Sequence, residues 1–430
     1  MAAVSADEAG GSEMSIQPSV SVSEGYDDNI FLSPVDRVDD YITRVIPAAK
    51  FSYRSPFWDW DVAYAYDYRL YAYRTVVDDS TQRFNLTNRT NIIKEFLLLD
   101  VREVYDRTSL TPVRDYTEES ISVNQTDRNI FTASPYVLLR PSTDTSVKAG
   151  YQYRSLWYKD PGTVDKEEHG VYGEGAWELS PRTALTAGVR YSRTETNKLD
   201  YFRTDTSTGT WTVNYQRTDL SIGAKYEYAE GSFLNLTIGN TWFSPENPPE
   251  GVTWLTSEIP AERASQVFWN FEINRKFPTY ALSFTTALNY VDDPAHILRR
   301  EDRYVLSFRK ETERATLGAS AGLWEYRQVA TNYLEALRYR TTASLGYSFT
   351  PALKLAYNLT IERFEDKTRE ALTGQEEYTT RYLNAVRFDY LLSESVTLSV
   401  DYRYTNNYAP HSYNENYYNN RIMLELTKKF

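Results

Sequence analysis

The chain has 430 residues and no cysteine, which removes disulfides, thiolate nucleophiles, cysteine zinc sites and CxxC chemistry. Its formal net charge of -12 argues against general nucleic-acid binding. Mean hydropathy is -0.57 and no apolar run of about 18 residues occurs, which excludes a bundle of transmembrane helices.

Aromatic residues nevertheless reach 15%, with 37 tyrosines and 9 tryptophans. A membrane β-barrel fits such an average, because its lipid-facing and lumen-facing residues alternate and cancel.

In chain order, residues 1–13 are small, polar and acidic and read as a disordered tail, and residues 14–430 read as one barrel domain. Met1-Ala-Ala-Val offers neither a charged n-region nor an apolar h-region, so the sequence reads as the mature form of an exported protein.

From Met14 onward, alternating segments of roughly ten or more residues meet a short turn, then a longer polar loop. The short connections are 55–57, 94–95, 141–144, 180–182, 230–232, 277–279, 311–313, 350–352 and 393–395, several carrying Pro or Gly. The longer ones are 31–40, 75–82, 107–127, 160–167, 206–210, 244–262, 291–300, 328–334, 366–376 and 407–415.

These connections predict an all-β, antiparallel up-and-down barrel of about twenty strands, with eighteen as the smaller count. Short turns would be periplasmic, loops extracellular, and both termini on the periplasmic side. Thr183 to Asp205 and Thr210 to Ala229 read as one long hairpin that exceeds a membrane crossing of about 9–11 residues and projects outward.

One face of the segments is apolar: Val62, Tyr64, Tyr66, Tyr68 and Leu70; Leu220, Ile222, Ala224, Tyr226 and Tyr228; and Tyr280, Leu282, Phe284, Leu288 and Tyr290. A soluble sandwich or propeller would alternate too, but tyrosine suits a dry core poorly and the turn–loop asymmetry has no cause there.

The other face is predicted to line the substrate path: Arg44, Lys50, Arg69, Arg102, Lys148, Arg154, Arg190, Lys225, Arg303, Arg309, Arg338, Arg340, Arg381, Arg387, Arg403 and Arg421. Acids there include Asp67, Asp100, Glu227, Glu272, Asp389, Asp401 and Glu425. A charge facing lipid costs about 2–4 kcal/mol near the midplane, so these must face a wet lumen. Two readings stay open: mutual salt-bridging of a pore wall, or a positive lumen that attracts anions.

The histidines, His169, His296 and His411, fall in or beside outer loops, and no GxSxG, HExxH or phosphate loop occurs. No enzyme activity, no cofactor and no metal is predicted. The pairs Asp39-Asp40, Asp78-Asp79 and Asp292-Asp293 could hold Ca²⁺ but more simply keep loops soluble.

The last stretch places Tyr418, Ile422, Leu424, Leu426 and Phe430 on one face, and Arg421, Met423 and Glu425 on the other. It resembles the closing strand of bacterial outer-membrane barrels, which implies that Phe430 is an assembly signal read by the barrel assembly machinery. Lys428 shares the parity of Phe430 and is expected to snorkel.

The first strand reads Pro18-Ser-Val-Ser-Val-Ser-Glu-Gly-Tyr-Asp-Asp-Asn-Ile-Phe-Leu-Ser-Pro34. Together with Thr204-Asp-Thr-Ser-Thr-Gly-Thr-Trp211 and Asn214-Tyr-Gln-Arg-Thr-Asp-Leu220, it resembles outer-membrane β-barrel porins of exopolysaccharide loci, including those beside PEP-CTERM sorting systems. That resemblance implies a porin of the Gram-negative outer membrane, embedded among lipids and lipopolysaccharide, with polysaccharide export as its role and periplasmic export components as partners. The resulting expectation is a hydrated Arg/Lys-lined conduit for an acidic exopolysaccharide. A solute-uptake porin and the sheath of a porin–cytochrome electron conduit are the alternatives.

Overall fold

The computed structural model describes residues 12–111, 116–118, 120, 123–197, 199–203, 208–246, 264–294, 298–411 and 415–430. The predicted tail lies almost wholly outside them; the first strand begins at Glu13.

Tyr, Val, Thr and Leu recur at every second position, and strands form wherever they do. In chain order these are β1 (Glu13–Asp27), β2 (Asp40–Arg54), β3 (Trp58–Tyr71), β4 (Asp79–Ile93) and β5 (Leu97–Ser109). Then come β6 (Gln125–Ser142), β7 (Thr145–Tyr158), β8 (Lys166–Ser180), β9 (Thr183–Thr196), β10 (Leu199–Arg203) and β11 (Thr208–Thr212). The central run is β12 (Tyr215–Ala229), β13 (Ser232–Pro245), β14 (Ala264–Lys276), β15 (Tyr280–Val291) and β16 (Arg299–Glu311). The last are β17 (Ala315–Gln328), β18 (Leu334–Ser348), β19 (Leu353–Asp366), β20 (Tyr378–Ser393), β21 (Val396–Tyr408) and β22 (Tyr417–Lys429).

All except β10 and β11 join one 20-stranded sheet in which each strand pairs antiparallel with its sequence neighbours. The ring closes because β22 pairs with both β21 and β1, from Ser19↔Lys429 to Asp27↔Arg421. The Phe430 N–H donates to the Pro18 carbonyl at 2.9 Å, so both ends of the barrel chain lie at one rim. Closure removes the sheet edges that an open sheet would expose.

All nine predicted short turns fall between paired strands. The longer connections also alternate with them, one carrying helix α1 (Lys367–Thr373). Asp366 caps α1 by accepting from Arg369 N–H at 2.8 Å, and Gly374 ends it at φ 70°, a left-handed conformation that favours glycine.

The faces can be assigned from contacts between strands that are not neighbours. Arg154 on β7 and Lys166 on β8 both pair with Asp292, beyond β15. Only the barrel interior lets them meet, so their parity faces the lumen. The other parity carries exposed apolar groups such as Ile222 at 62%, Trp177 at 60% and Leu424 at 51%, while lumen-facing Asp67 is 3% exposed. Apolar groups outside and charges inside invert a soluble protein and match a lipid-embedded barrel.

Two expectations are corrected. The long central hairpin is not one continuous ribbon: β9 and β12 pair up to Thr194↔Tyr215, then β10 and β11 form a separate two-stranded sheet starting at Leu199↔Thr212. Between them Thr196 bonds the Val213 carbonyl at 2.7 Å and the Asn214 side chain accepts from Thr196 N–H at 3.0 Å, which turns the chain at the rim. Of the predicted tip, Ser207-Thr208-Gly209, Ser207 lies outside the described residues, whereas Thr208 and Gly209 are not a turn but pair with Arg203 and Phe202 at the start of β11.

The outer end of β15 also departs from its predicted lipid-facing parity. Leu288 is buried, and Tyr290 packs on Phe243 at 5.2 Å. Pairing between β14 and β15 stops at Trp269↔Leu288, which frees Tyr290 to turn inward and donate to Gln266 at 2.7 Å.

Candidate transport pathway through the lumen

Ten of the sixteen predicted lumen cations pair with acids, on the same strand, on a neighbouring strand or across the lumen. Arg44 and Arg69 share Asp67 at 2.6 and 2.8 Å. Arg190 pairs with Glu168 at 2.6 Å, and Arg403 with Asp401 at 2.8 Å. Arg387 reaches Asp389 at 2.8 Å and Glu425 at 3.1 Å, spanning β21. Arg154 pairs with Asp292, and Arg309 with Glu311 beside the β16–β17 turn.

Arg338, Arg340 and Arg381 converge on Glu362 at 2.5, 3.8 and 2.7 Å. Arg381 is only 2% exposed. Trp324 and Tyr326 stand beside this cluster, with the Arg338 guanidinium 5.7 Å from the indole centroid.

Lys50, Arg102, Lys148, Lys225, Arg303 and Arg421 form no ion pair among the described residues. Arg421 stands opposite Asp27 in one register and opposite Arg403 in the other. Lys148 lies over two tyrosine rings, at 4.2 Å from Tyr136 and 5.1 Å from Tyr172. These unpaired cations are spread over β2, β5, β7, β12, β16 and β22, all around the wall.

Several pairings were not foreseen from the sequence. Arg107 bridges Asp79 at 2.8 Å and Asp127 at 3.1 Å, and Arg299 joins Asp293 at 3.0 Å and Glu335 at 3.1 Å. Asp79, Asp292 and Asp293, from two of the three acidic pairs singled out as loop features, are thus counter-charges to these cations. Asp40 instead accepts from Tyr73 N–H at 2.9 Å and the Thr75 hydroxyl at 2.6 Å.

The outer mouth is narrowed by its own loops. Val164, Val213, Tyr215, Phe243, Leu298 and Val329 form one buried apolar cluster, although they come from five separate connections and strand ends. The Val164 N–H donates to the Pro294 carbonyl at 2.9 Å, and the Gln266 amide to the Val329 carbonyl at 2.6 Å. A second cluster joins Ile30, Ile42 and Tyr71 with Val76.

Beneath the first cluster lies the Lys166–Asp292–Arg154 contact, with Lys166 Nζ 2.8 Å from the carboxylate. Burial alone would raise Asp292, but Lys166 and Arg154 outweigh it and hold the carboxyl well below the usual range. Isolated apolar residues in otherwise polar loops were the available sequence signal for this inward folding.

His169 lies within β8 on the lipid-facing side, its Nδ1 2.5 Å from the Tyr151 hydroxyl and its ring 5.1 Å from Tyr153. It belongs to the aromatic belt rather than to a loop. His296 lies outside the described residues. Phe430 is exposed at the terminal rim, with Lys428 Nζ 5.1 Å from its ring centroid.

Closure, inverted faces and a charged lumen define an integral β-barrel of the bacterial outer membrane, with the architecture of outer-membrane transport proteins. No protein-family model and no curated protein matches the sequence.

Solved structures do share the fold. A mutant of the ferric enterobactin receptor from Pseudomonas aeruginosa, in complex with enterobactin, is 9% identical with a TM-score of 0.52; the match covers 96% of this chain and 81% of that one. A second mutant of the same receptor is 10% identical with a TM-score of 0.51, over 96% and 81% of the two chains. The FrpB iron transporter from Neisseria meningitidis is 10% identical with a TM-score of 0.49, over 96% and 81%.

Proposed function

We propose that this barrel is a passive conduit that lets an acidic exopolysaccharide cross the outer membrane. The observation that carries the reading is the set of lumen cations without a carboxylate partner, distributed from Lys50 on β2 round to Arg421 on β22. Weak contacts at many places permit sliding, whereas one tight site would trap the polymer. The short resemblance around Tyr26-Asp-Asp-Asn-Ile30 supports the same class of porin. On this reading the protein performs no catalysis, Phe430 is recognised by the assembly machinery, and periplasmic export components deliver the polymer.

Conductance in planar bilayers tests it. Chloride should pass in preference to potassium at neutral pH, and cation selectivity overturns the reading.

A second reading is selective uptake of a solute. The narrowed mouth favours it, because loops that converge over a lumen suit a ligand-gated entry more than a free exit. The likeness to a ferric enterobactin receptor adds fold-level support only. Deletion of the gene separates the two: loss of surface polysaccharide supports export, and a growth defect on one nutrient with polysaccharide intact supports uptake.

A further inference from the structure

We propose that Lys148, clasped between Tyr136 and Tyr172, forms a subsite of the lumen wall for the carboxylate of an acidic sugar residue. The inference rests on the conduit reading above and names where and how the polymer is held.

The site is built on three adjacent strands. In the register, Gly150 on β7 faces Tyr136 on β6 and Tyr172 on β8. A Cβ at Gly150 would lie 2.7 Å from the Tyr136 Cβ and 2.8 Å from the Tyr172 hydroxyl, so only glycine lets both side chains close over this point. The Tyr172 hydroxyl is fixed by Ser134 Oγ at 2.9 Å, which in turn bonds the Tyr151 carbonyl at 3.1 Å. The Lys148 ammonium then rests 4.2 Å from one ring centroid and 5.1 Å from the other.

Two ring faces orient an ammonium without cancelling its charge, unlike a carboxylate. Glu174 stands directly opposite Lys148 in the β7–β8 register yet forms no ion pair with it. The ammonium faces a wall recess of about 470 Å³ lined by Arg89, Arg102, Gln152 and Arg190 and also by the acids Asp59, Asp61, Asp100 and Glu174. A second recess of about 540 Å³ continues from Lys148, Tyr172 and Arg190 along the wall. Sharing Lys148, Tyr172, Glu174 and Arg190, they make one continuous shelf with a fixed cation at its middle and hydrogen-bonding groups around it. Arg190 is engaged by Glu168, Asp59 and Asp61 by Arg54, and Asp100 by Arg89, so the unpaired groups are Lys148 and Arg102 against Glu174, which leaves a net positive charge. That combination suits a chain of carboxylated pyranoses, whose hydroxyls take the polar groups and whose carboxylates take the cations.

The test uses the full chain in planar bilayers, with a hexamer of galacturonic acid as probe. The unaltered barrel should show current block by the hexamer, and little block by monomeric galacturonate at equal carboxylate concentration. Lys148→Ala should weaken the block about tenfold, the loss of one charge-assisted hydrogen bond. Lys148→Arg should restore most of it, because the charge returns. Equal block in the unaltered barrel and Lys148→Ala overturns the subsite and leaves the conduit reading intact. A conducting barrel that no acidic hexamer blocks overturns the conduit reading and the subsite with it. Equal block by monomer and hexamer overturns the subsite as a polymer site, assigning it to small anions.

Discussion

Asn420 donates twice to the Asp28 carboxylate, from its backbone N–H at 2.7 Å and from its side-chain amide at 2.8 Å. The Asp28 N–H answers with a bond to the Asn420 carbonyl at 3.1 Å. Beside them Asn419 donates to Asp27 at 2.5 Å, and Asn29 donates to the Tyr418 carbonyl at 3.0 Å. The Tyr26-Asp-Asp-Asn-Ile30 stretch therefore clasps the first strand to the last at the outer end of the seam. Asp28→Ala should cost about 1 kcal/mol, because half-buried amide donors lose a charged acceptor. Asn420→Leu should cost a similar amount. The check is the temperature at which the folded band converts to the unfolded one in detergent gels; no change would mean that the clasp does not hold the seam.

Lower on the same seam, Ser21 and Thr427 face each other with hydroxyl oxygens 2.7 Å apart. The chain has no cysteine, so a pair introduced there has no competitors. Ser21→Cys with Thr427→Cys should oxidise to one disulfide, since opposed residues with touching side chains meet the distance requirement. Electrophoresis with and without reductant reads it: the oxidised barrel should resist thermal unfolding, and reductant should abolish the difference. An unlinked pair in the assembled protein would contradict closure between β1 and β22.

The strands and their faces were legible because period-two alternation is local. Ile422, Leu424 and Leu426 declare a lipid face without reference to any other part of the chain. Turns were legible for the same reason, as at Ser55-Pro56-Phe57. The lumen was only half legible. That Arg154 points inward follows from parity, but its partner Asp292 is 138 residues away and comes near only when the barrel closes. The inward cluster of Val164, Val213 and Leu298 escaped for a related reason: single apolar residues in polar loops carry no periodicity. Tyr290 was misplaced because, although still paired with Arg300, it lies past the end of pairing with β14 and packs on Phe243.

Glu362 serves three arginines at once, so its loss should exceed that of any one of them. Glu362→Gln should destabilise the barrel by about 3–5 kcal/mol, the usual cost of stripping a buried ion pair of one partner. Combining Glu362→Leu with Arg338→Met and Arg381→Met should recover most of that loss, since an apolar replacement of similar volume removes the stranded charges as well. Urea or thermal denaturation of the folded barrel measures both. A Glu362→Gln protein as stable as the original would show that the arginines are held by other partners.

The contact of Lys166 and Arg154 with Asp292 makes the mouth a titratable latch. The Asp292 carboxyl is held below its ordinary value, so the latch is fully present above about pH 3.9, where a free aspartate ionises, and is lost as pH falls through the lower folded value. Conductance should therefore stay flat from about pH 8 to pH 5 and rise only in stronger acid, as the loops after β7 and β15 separate. Asp292→Asn should produce the open behaviour at neutral pH, because two cations then face each other without an intervening charge. Single-channel recording across this range decides it. A conductance step near pH 6 would assign the gating to another group, and an unchanged Asp292→Asn channel would show that the apolar cluster around Phe243 holds the loops by itself.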